Sequence, residues 1–158
     1  MLKKVIDTYE FVYQTTIDLD RDENGVIISY NPANGYKKKD TCKLNPYGHL
    51  QFCKLNLVDL PTTSGVYAIY NDGELVYIGR AKNFAERWSR ANYGNISPKN
   101  CYVGGQSTNC KMNNYIFEAI KAGCKIELYF YATTKYKEIE KDLLGKYAEN
   151  LSLNKQKN

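Results

Sequence analysis

Apolar and polar residues alternate in three stretches of the chain. Between Tyr9 and Asp18, Phe11, Tyr13, Thr15 and Ile17 fall at every second position, the period of a strand with one covered face. Val66-Tyr67-Ala68-Ile69-Tyr70 and Leu75-Val76-Tyr77-Ile78 flank Asn71-Asp72-Gly73, a hairpin signal because Asp-Gly tolerates the left-handed backbone of a tight turn. Ile126, Leu128 and Phe130 repeat the two-residue period later. Three other stretches are helical in spacing. Phe84, Trp88 and Ala91 form a stripe behind Asn83-Phe84-Ala85-Glu86, which reads as a capping box. Ile116, Phe117 and Ile120 predict a helix from about Asn113 to Ala122, stopped by Gly123. Ile139, Leu143, Leu144, Tyr147 and Leu151 predict a third, from about Thr134 to Leu151.

Turn chemistry divides the remainder. Asp22-Glu23-Asn24-Gly25 is expected to turn the first strand back onto Val26–Tyr30, placing a hairpin ahead of the central motifs. The stretch from Asn31 to Pro46, with the run Lys37-Lys38-Lys39, and the stretch from Gly94 to Asn109 read as loops. With no repeat or linker, 158 residues suit one compact domain: residues 1–60 as a hairpin and basic-loop extension, and residues 61–158 as the core. The fold class expected is mixed α+β, a small central sheet flanked by helices.

Charge sharpens this picture. The net +5 is unevenly spread: residues 1–30 carry three Lys/Arg against six Asp/Glu, and the rest carries 19 against 11. The basic surplus therefore accompanies the motifs, as a phosphate-binding surface requires. Five cysteines without a pairing pattern and an N-terminus without an apolar run point to a reducing cytoplasm, and no stretch is apolar enough to span a membrane. Cys42, His49 and Cys53, with Cys101 or Cys110, match no compact zinc spacing. His49 is the single histidine, so mechanisms that need two are excluded.

The candidate chemistry gathers where the hairpin feeds a helix. Gly65-Val66-Tyr67 and Tyr77-Ile78-Gly79 supply two phenols, Arg80 and Lys82 sit at the strand-to-helix turn, and Arg87 lies beside the apolar stripe. Glu140, one turn before Leu144, borders the apolar face of the last helix. Register decides whether the phenols meet. A two-residue Asp72-Gly73 turn would pair Ala68 with Tyr77 and set the tyrosines on opposite faces, whereas a three-residue loop with Gly73 as a left-handed bulge pairs Tyr67 with Tyr77. The second register is expected, because a shared site needs both phenols on one side.

From Ser64 to Asn154 these motifs resemble, in order and spacing, the GIY-YIG endonucleases. The N-terminal part is similar, more loosely, to the compact branch with small restriction enzymes and T-even phage endonucleases. The resemblance implies that Tyr67 acts as base or orients the attacking water, assisted by Tyr77. It further implies that Arg87 stabilises charge on phosphorus and that Glu140 holds Mg2+ (or Mn2+). A phenol is a weak base at neutral pH, so Arg80, Lys82 and Arg87 would have to favour its ionised form. Asn154 stands where the family has a closing asparagine. Many relatives carry His or Tyr where this chain has Ala91, leaving Arg90, Asn92 or Tyr93 as substitutes.

The function expected is a divalent-metal-dependent double-stranded DNA endonuclease of restriction or phage type, acting as a homodimer or homotetramer. Arg80, Lys82, Arg90, Asn92, Lys37, Lys38, Gln106 and Asn154 are the expected DNA contacts, and Asn109 and Asn113 are chemically able to read bases. A structure-specific repair or recombination nuclease and a DNA-binding module without catalysis are the competing readings.

Overall fold

The computed structural model describes residues 2–57, 59–89 and 92–154. The fold is mixed α+β, and its contacts group into two compact units. The first comprises Met1–Ile17, Val58–Arg87 and Cys124–Lys157, and the second Asp18–Leu57 and Trp88–Gly123. No helix among the described residues is long and apolar enough to cross a membrane.

The first unit is built on a five-stranded antiparallel sheet. Its strands are β1 (Lys3–Ile6), β2 (Tyr9–Thr16), β5 (Gly65–Asn71), β6 (Glu74–Ala81) and β7 (Ile126–Ala132), in the order β1-β2-β7-β5-β6. The N-terminal hairpin joins β1 to β2, with Asp7 in the left-handed region at φ 58°. The expected partner, Val26–Tyr30, forms no strand. The turn at Asp22 is real, with the Gly25 amide donating to the Asp22 carbonyl at 3.0 Å. The chain after it, however, makes only the bridges Arg21 to Ile27 and Tyr30 to Phe52. Val26 and Ile28 stay exposed, so the local alternation has no apolar surface to cover.

One face of the sheet carries Val66, Ala68, Tyr70, Ile78 and Tyr129. Helix α3 (Tyr136–Tyr147) lays Ile139 and Leu143 on it. Each large side chain buried this way contributes about 2 kcal/mol. A short 3-10 turn ends the helix, and the chain returns along β6, the sheet edge. There Leu153 donates its amide to the Val76 carbonyl at 3.1 Å. Asn154 accepts from the Ile78 amide at 2.9 Å and donates to the Ile78 carbonyl at 3.1 Å. Both ends of the Asn154 amide are thus engaged on backbone, closing an edge that would otherwise invite another chain. The polar contact expected of Asn154 toward DNA is spent on this clip.

The β5–β6 register follows neither expected pairing. The turn is the two-residue one, with Asp72 at φ 48° and Gly73 at φ 84°, and Asn71 opposes Glu74. The Asp72 carboxylate accepts the Lys125 amide at 2.7 Å, which supports that turn from outside the hairpin. A bulge then intervenes: Tyr70 opposes Leu75, but Ile69 opposes Tyr77 and Tyr67 opposes Gly79. The extra residue, Val76, resets the alternation. The two tyrosines share a face, as a common site requires, although they are not direct partners.

The second unit contains the two-residue strands β3 (Asp18–Leu19) and β4 (Leu55–Asn56), which pair with each other, and helix α2 (Ser107–Lys121). The helix begins six residues before the expected start, which turns Asn109 and Asn113 inward. Asn113, fully buried, donates to the Cys53 and Tyr93 carbonyls, both at 2.8 Å, and accepts from the Cys53 amide at 2.9 Å. It joins three chain segments and is not available to read a base. Orphaning such buried groups costs about 1–3 kcal/mol each. Asn113→Ala should therefore lower stability by at least about 3 kcal/mol in urea unfolding. A loss under about 1 kcal/mol would mean that water replaces the amide.

Candidate active site

Tyr67 and Tyr77 project from the face of the sheet opposite α3. Their rings stack with centroids 6.0 Å apart at 29°, and Tyr67 also lies 6.0 Å from Phe84. Phe84 in turn stacks on Phe130 at 4.1 Å. Tyr67 is 1% exposed, while Tyr77 is half-buried. The motif glycines make this packing possible. A Cβ on Gly79 would lie 2.5 Å from both Cζ and Oη of Tyr67 and 2.7 Å from Cε1 of Tyr77. One on Gly65 would strike the Tyr131 carbonyl and the Phe130 ring. Both positions need glycine for space.

Helix α1 (Phe84–Arg87) is a single turn. The Asn83 side chain accepts the Glu86 amide at 3.0 Å, so the expected N-cap forms. The helix does not run on, because the chain turns after Trp88, with the Asn92 and Gly94 amides both donating to the Ser89 carbonyl, yet Phe84 and Trp88 are both buried as the stripe expects. Phe84 anchors the turn in the first unit, and Arg87 stands at its end, half-buried. Arg90 and Ala91 lie outside the described residues.

Glu140 rises from α3 on the other side of the sheet, the side to which Val66 and its cross-strand neighbour Arg80 point. Arg80 Nε is 3.7 Å from Glu140 Oε1, an electrostatic contact longer than a hydrogen bond. The Glu140 side chain is 18% exposed. Burial pushes its carboxyl above the usual carboxylate range, and the charges of Arg80 and Arg87 pull against that shift. Arg87 thus reaches Glu140 electrostatically although it stands on a different element. An open groove of about 420 Å³, lined by Arg80, Lys137, Glu138, Glu140, Lys141 and Leu144, lies in front of the acid.

The first unit therefore brings the expected residues together in two sets. Tyr67 and Tyr77 form one, Glu140 and Arg80 the other, and edge strand β6 runs between them with Arg87 in electrostatic range of the acid. Alternation dictates this split, since Gly79 faces the phenols and Arg80, its neighbour, faces the carboxylate. Lys82 is exposed just beyond β6. The other expected contacts belong to the second unit: Lys37, Lys38 and Gln106 are exposed and Asn92 is half-buried. Tyr93, a suggested substitute for the missing family residue, is buried there, its ring 5.0 Å from that of Trp88. Sequence reasoning missed Lys137 and Lys141, whose placement beside Glu140 follows from the helical spacing of three and one residues.

Among the described residues the groove offers a cation two carboxylates, Glu140 and the more exposed Glu138. Among the described residues no three His, Cys, Asp or Glu side chains cluster as a metal cage. One or two carboxylates together with substrate phosphate are a common way to hold Mg2+, and the groove carboxylates would fit that donor set. Glu140 has lone pairs to spare beyond its ion pair with Arg80 and opens onto the groove.

No protein-family model matches the chain, and no curated protein does. Among solved structures, a mutant of bacteriophage T4 EndoII is similar to it, with TM-score 0.42 and 24% sequence identity. The alignment covers 76% of this chain and 62% of that one, so the chain spans under two thirds of the phage protein.

Two outcomes follow from this geometry. Gly79→Ala should lower the melting temperature, because overpacking of this kind costs about 1–3 kcal/mol; an unchanged melting temperature would refute the ring contact. The raised carboxyl of Glu140 means that folding favours its protonated form. That contribution is complete below the ordinary carboxylate range and is lost as pH rises through the raised value. Glu140→Gln, which mimics the protonated state, should thus melt higher than the wild type at about pH 7 in metal-free buffer, with the gain gone by about pH 3. A lower melting point at neutral pH would contradict the assignment.

Proposed function

We propose that the chain is a divalent-metal-dependent endonuclease that hydrolyses phosphodiester bonds in double-stranded DNA, of the restriction or phage DNA-degrading type. The observation that supports this best is Glu140: a largely buried carboxylate under the field of two guanidiniums, open on one side to a groove with a basic rim. Retaining a carboxylate there works against stability, which makes sense if its charge is needed to hold a cation.

Each residue has a definite task in this reading. Glu140 would hold the cation, and Mg2+ or Mn2+, when bound, would supply Lewis-acid stabilisation of the negative charge that develops during cleavage. Arg80 holds the Glu140 carboxylate in place and lends a charge to the adjacent phosphate. Arg87 donates to non-bridging oxygens as negative charge gathers on phosphorus. The phenols act on water. Tyr67 is nearly inaccessible, so the attacking water is oriented through the stacked pair from the half-buried Tyr77 side, with Tyr67 Oη as the inner acceptor. Lys82 contributes a phosphate contact at the helix entrance. Cutting both strands with one such site per chain calls for a symmetric dimer or tetramer.

A second reading, a DNA-binding module without catalysis, is favoured by one observation: the phenols and the acid leave opposite faces of the sheet. The two readings diverge under substitution. With a duplex substrate in single turnover, Glu140→Ala and Arg87→Ala should each reduce cleavage at least about a thousandfold while DNA binding persists. Tyr67→Phe, which keeps the ring and removes only the hydroxyl, should be slowed by about a hundredfold or more. Wild-type rates in any of the three would reject that residue's role. A wild-type protein that binds duplex but cuts nothing under Mg2+ or Mn2+ would establish the module.

A further inference from the structure

Two loops that lie more than fifty residues apart in sequence are stitched into one surface in the second unit. The Val103 amide donates to the Lys43 carbonyl at 2.8 Å, and the Asn45 amide donates to the Cys101 carbonyl at 2.9 Å. Leu44 forms an antiparallel bridge with Tyr102 between them. Residues 43–45 and 101–103 therefore make a minimal two-stranded ribbon. It is firmly seated: Asn45, buried, donates to the Asn100 carbonyl at 2.6 Å, Tyr102 donates to the Ala33 carbonyl at 2.9 Å, and the Tyr36 and Tyr102 rings lie 4.9 Å apart. Below it Phe52, Cys101 and Cys110 are fully buried.

The two loops that carry this ribbon have the opposite character. Residues 31–49 carry Lys37, Lys38, Lys39 and Lys43 against Asp40 alone, and residues 94–110 carry Lys99 and no acid. All five lysines are exposed, and none enters an ion pair among the described residues. An apolar side chain stands beside Lys43: Val103 is 64% exposed, while Leu44, 45% exposed, shares the face of its bridge partner Tyr102. Unpaired like charges and an exposed valine on so firmly seated a support gain nothing for the isolated fold.

We infer that this ribbon is a docking surface for duplex DNA, with Lys37, Lys38, Lys39, Lys43 and Lys99 on backbone phosphates and Val103 against a base edge. The occupant is chosen by charge and shape. A two-stranded ribbon is of a size that enters the major groove, where an aliphatic side chain meets the thymine methyl group. Phosphates on either side of the groove suit cations on both loops. This deepens the nuclease reading and rests on it for the identity of the polymer. It gives the second unit a part in substrate capture apart from the chemistry of the first.

The test measures binding of a labelled duplex by anisotropy in EDTA across a salt series. Lys43→Gln/Lys99→Gln should flatten the slope of log K against log salt by about two, since each phosphate contact contributes about 0.9. Val103→Ser should weaken binding by a similar factor at every salt concentration and leave the slope unchanged. Melting curves matching the wild type establish that the variants are folded; should either not fold, Lys99→Gln alone, on an exposed side chain, should reduce the slope by about one. Folded variants with wild-type slope and affinity would overturn the inference, as would a wild type that captures a polyglutamate peptide and no duplex. Cleavage by wild type in Mg2+ separates the two readings. Cutting with unaltered binding by the variants sinks only the docking surface, and altered binding with no cutting sinks only the nuclease.

Discussion

The pairing of β5 with β6 is the constraint on which the rest of the structure depends. A two-residue turn at Asp72-Gly73 would by simple alternation separate the phenols, and the bulge at Val76 reverses that outcome. Once Tyr67 opposes Gly79, three consequences are forced. The rings can stack only because Gly79 has no side chain. Arg80, one residue on, must point to the α3 side and meet Glu140. The chain then leaves β6 directly into the Asn83-capped turn that presents Arg87. A slip of one residue would put Arg80 among the aromatic rings and a tyrosine against α3, leaving a buried guanidinium without its partner.

Much of this was legible in the sequence. The strands at Phe11, Tyr67, Tyr77 and Leu128, the N-cap at Asn83 and the inward stripe Ile139-Leu143 announce themselves by period and by capping chemistry, both of which are local. The bulge is not local. It arises because Tyr70 and Leu75 must cover the apolar face beneath α3 while Ile69 and Tyr77 serve the other face, a choice settled by packing across the sheet. The same limitation explains β1: the β2 strand takes Lys3–Ile6 and β7 as neighbours because those segments share its apolar face, and turn residues at Asp22 carry no information about that.

The second unit was legible least, for a different physical reason. Its framework relies on amide side chains that substitute for secondary structure. Asn113 ties Cys53 to Tyr93, and Asn45 ties one loop to Asn100 in another. An asparagine in a polar stretch has the same appearance whether it faces water or is buried, so Asn109 and Asn113 looked like groups free to read bases. Asn154 repeats the lesson in the first unit, where a side chain expected near the substrate instead seals the sheet edge at Ile78. Burial, unlike residue type, distinguishes these cases.

Glu140 is where stability and the proposed activity pull apart, and the most direct measurement is of where a cation goes. Mn2+ added to the isotopically labelled protein with an uncleavable duplex should broaden amide resonances in α3 around Glu140 and in β6 around Arg80. The same broadening should vanish in Glu140→Ala. Broadening centred on other elements, or a pattern that survives that substitution, would contradict the account.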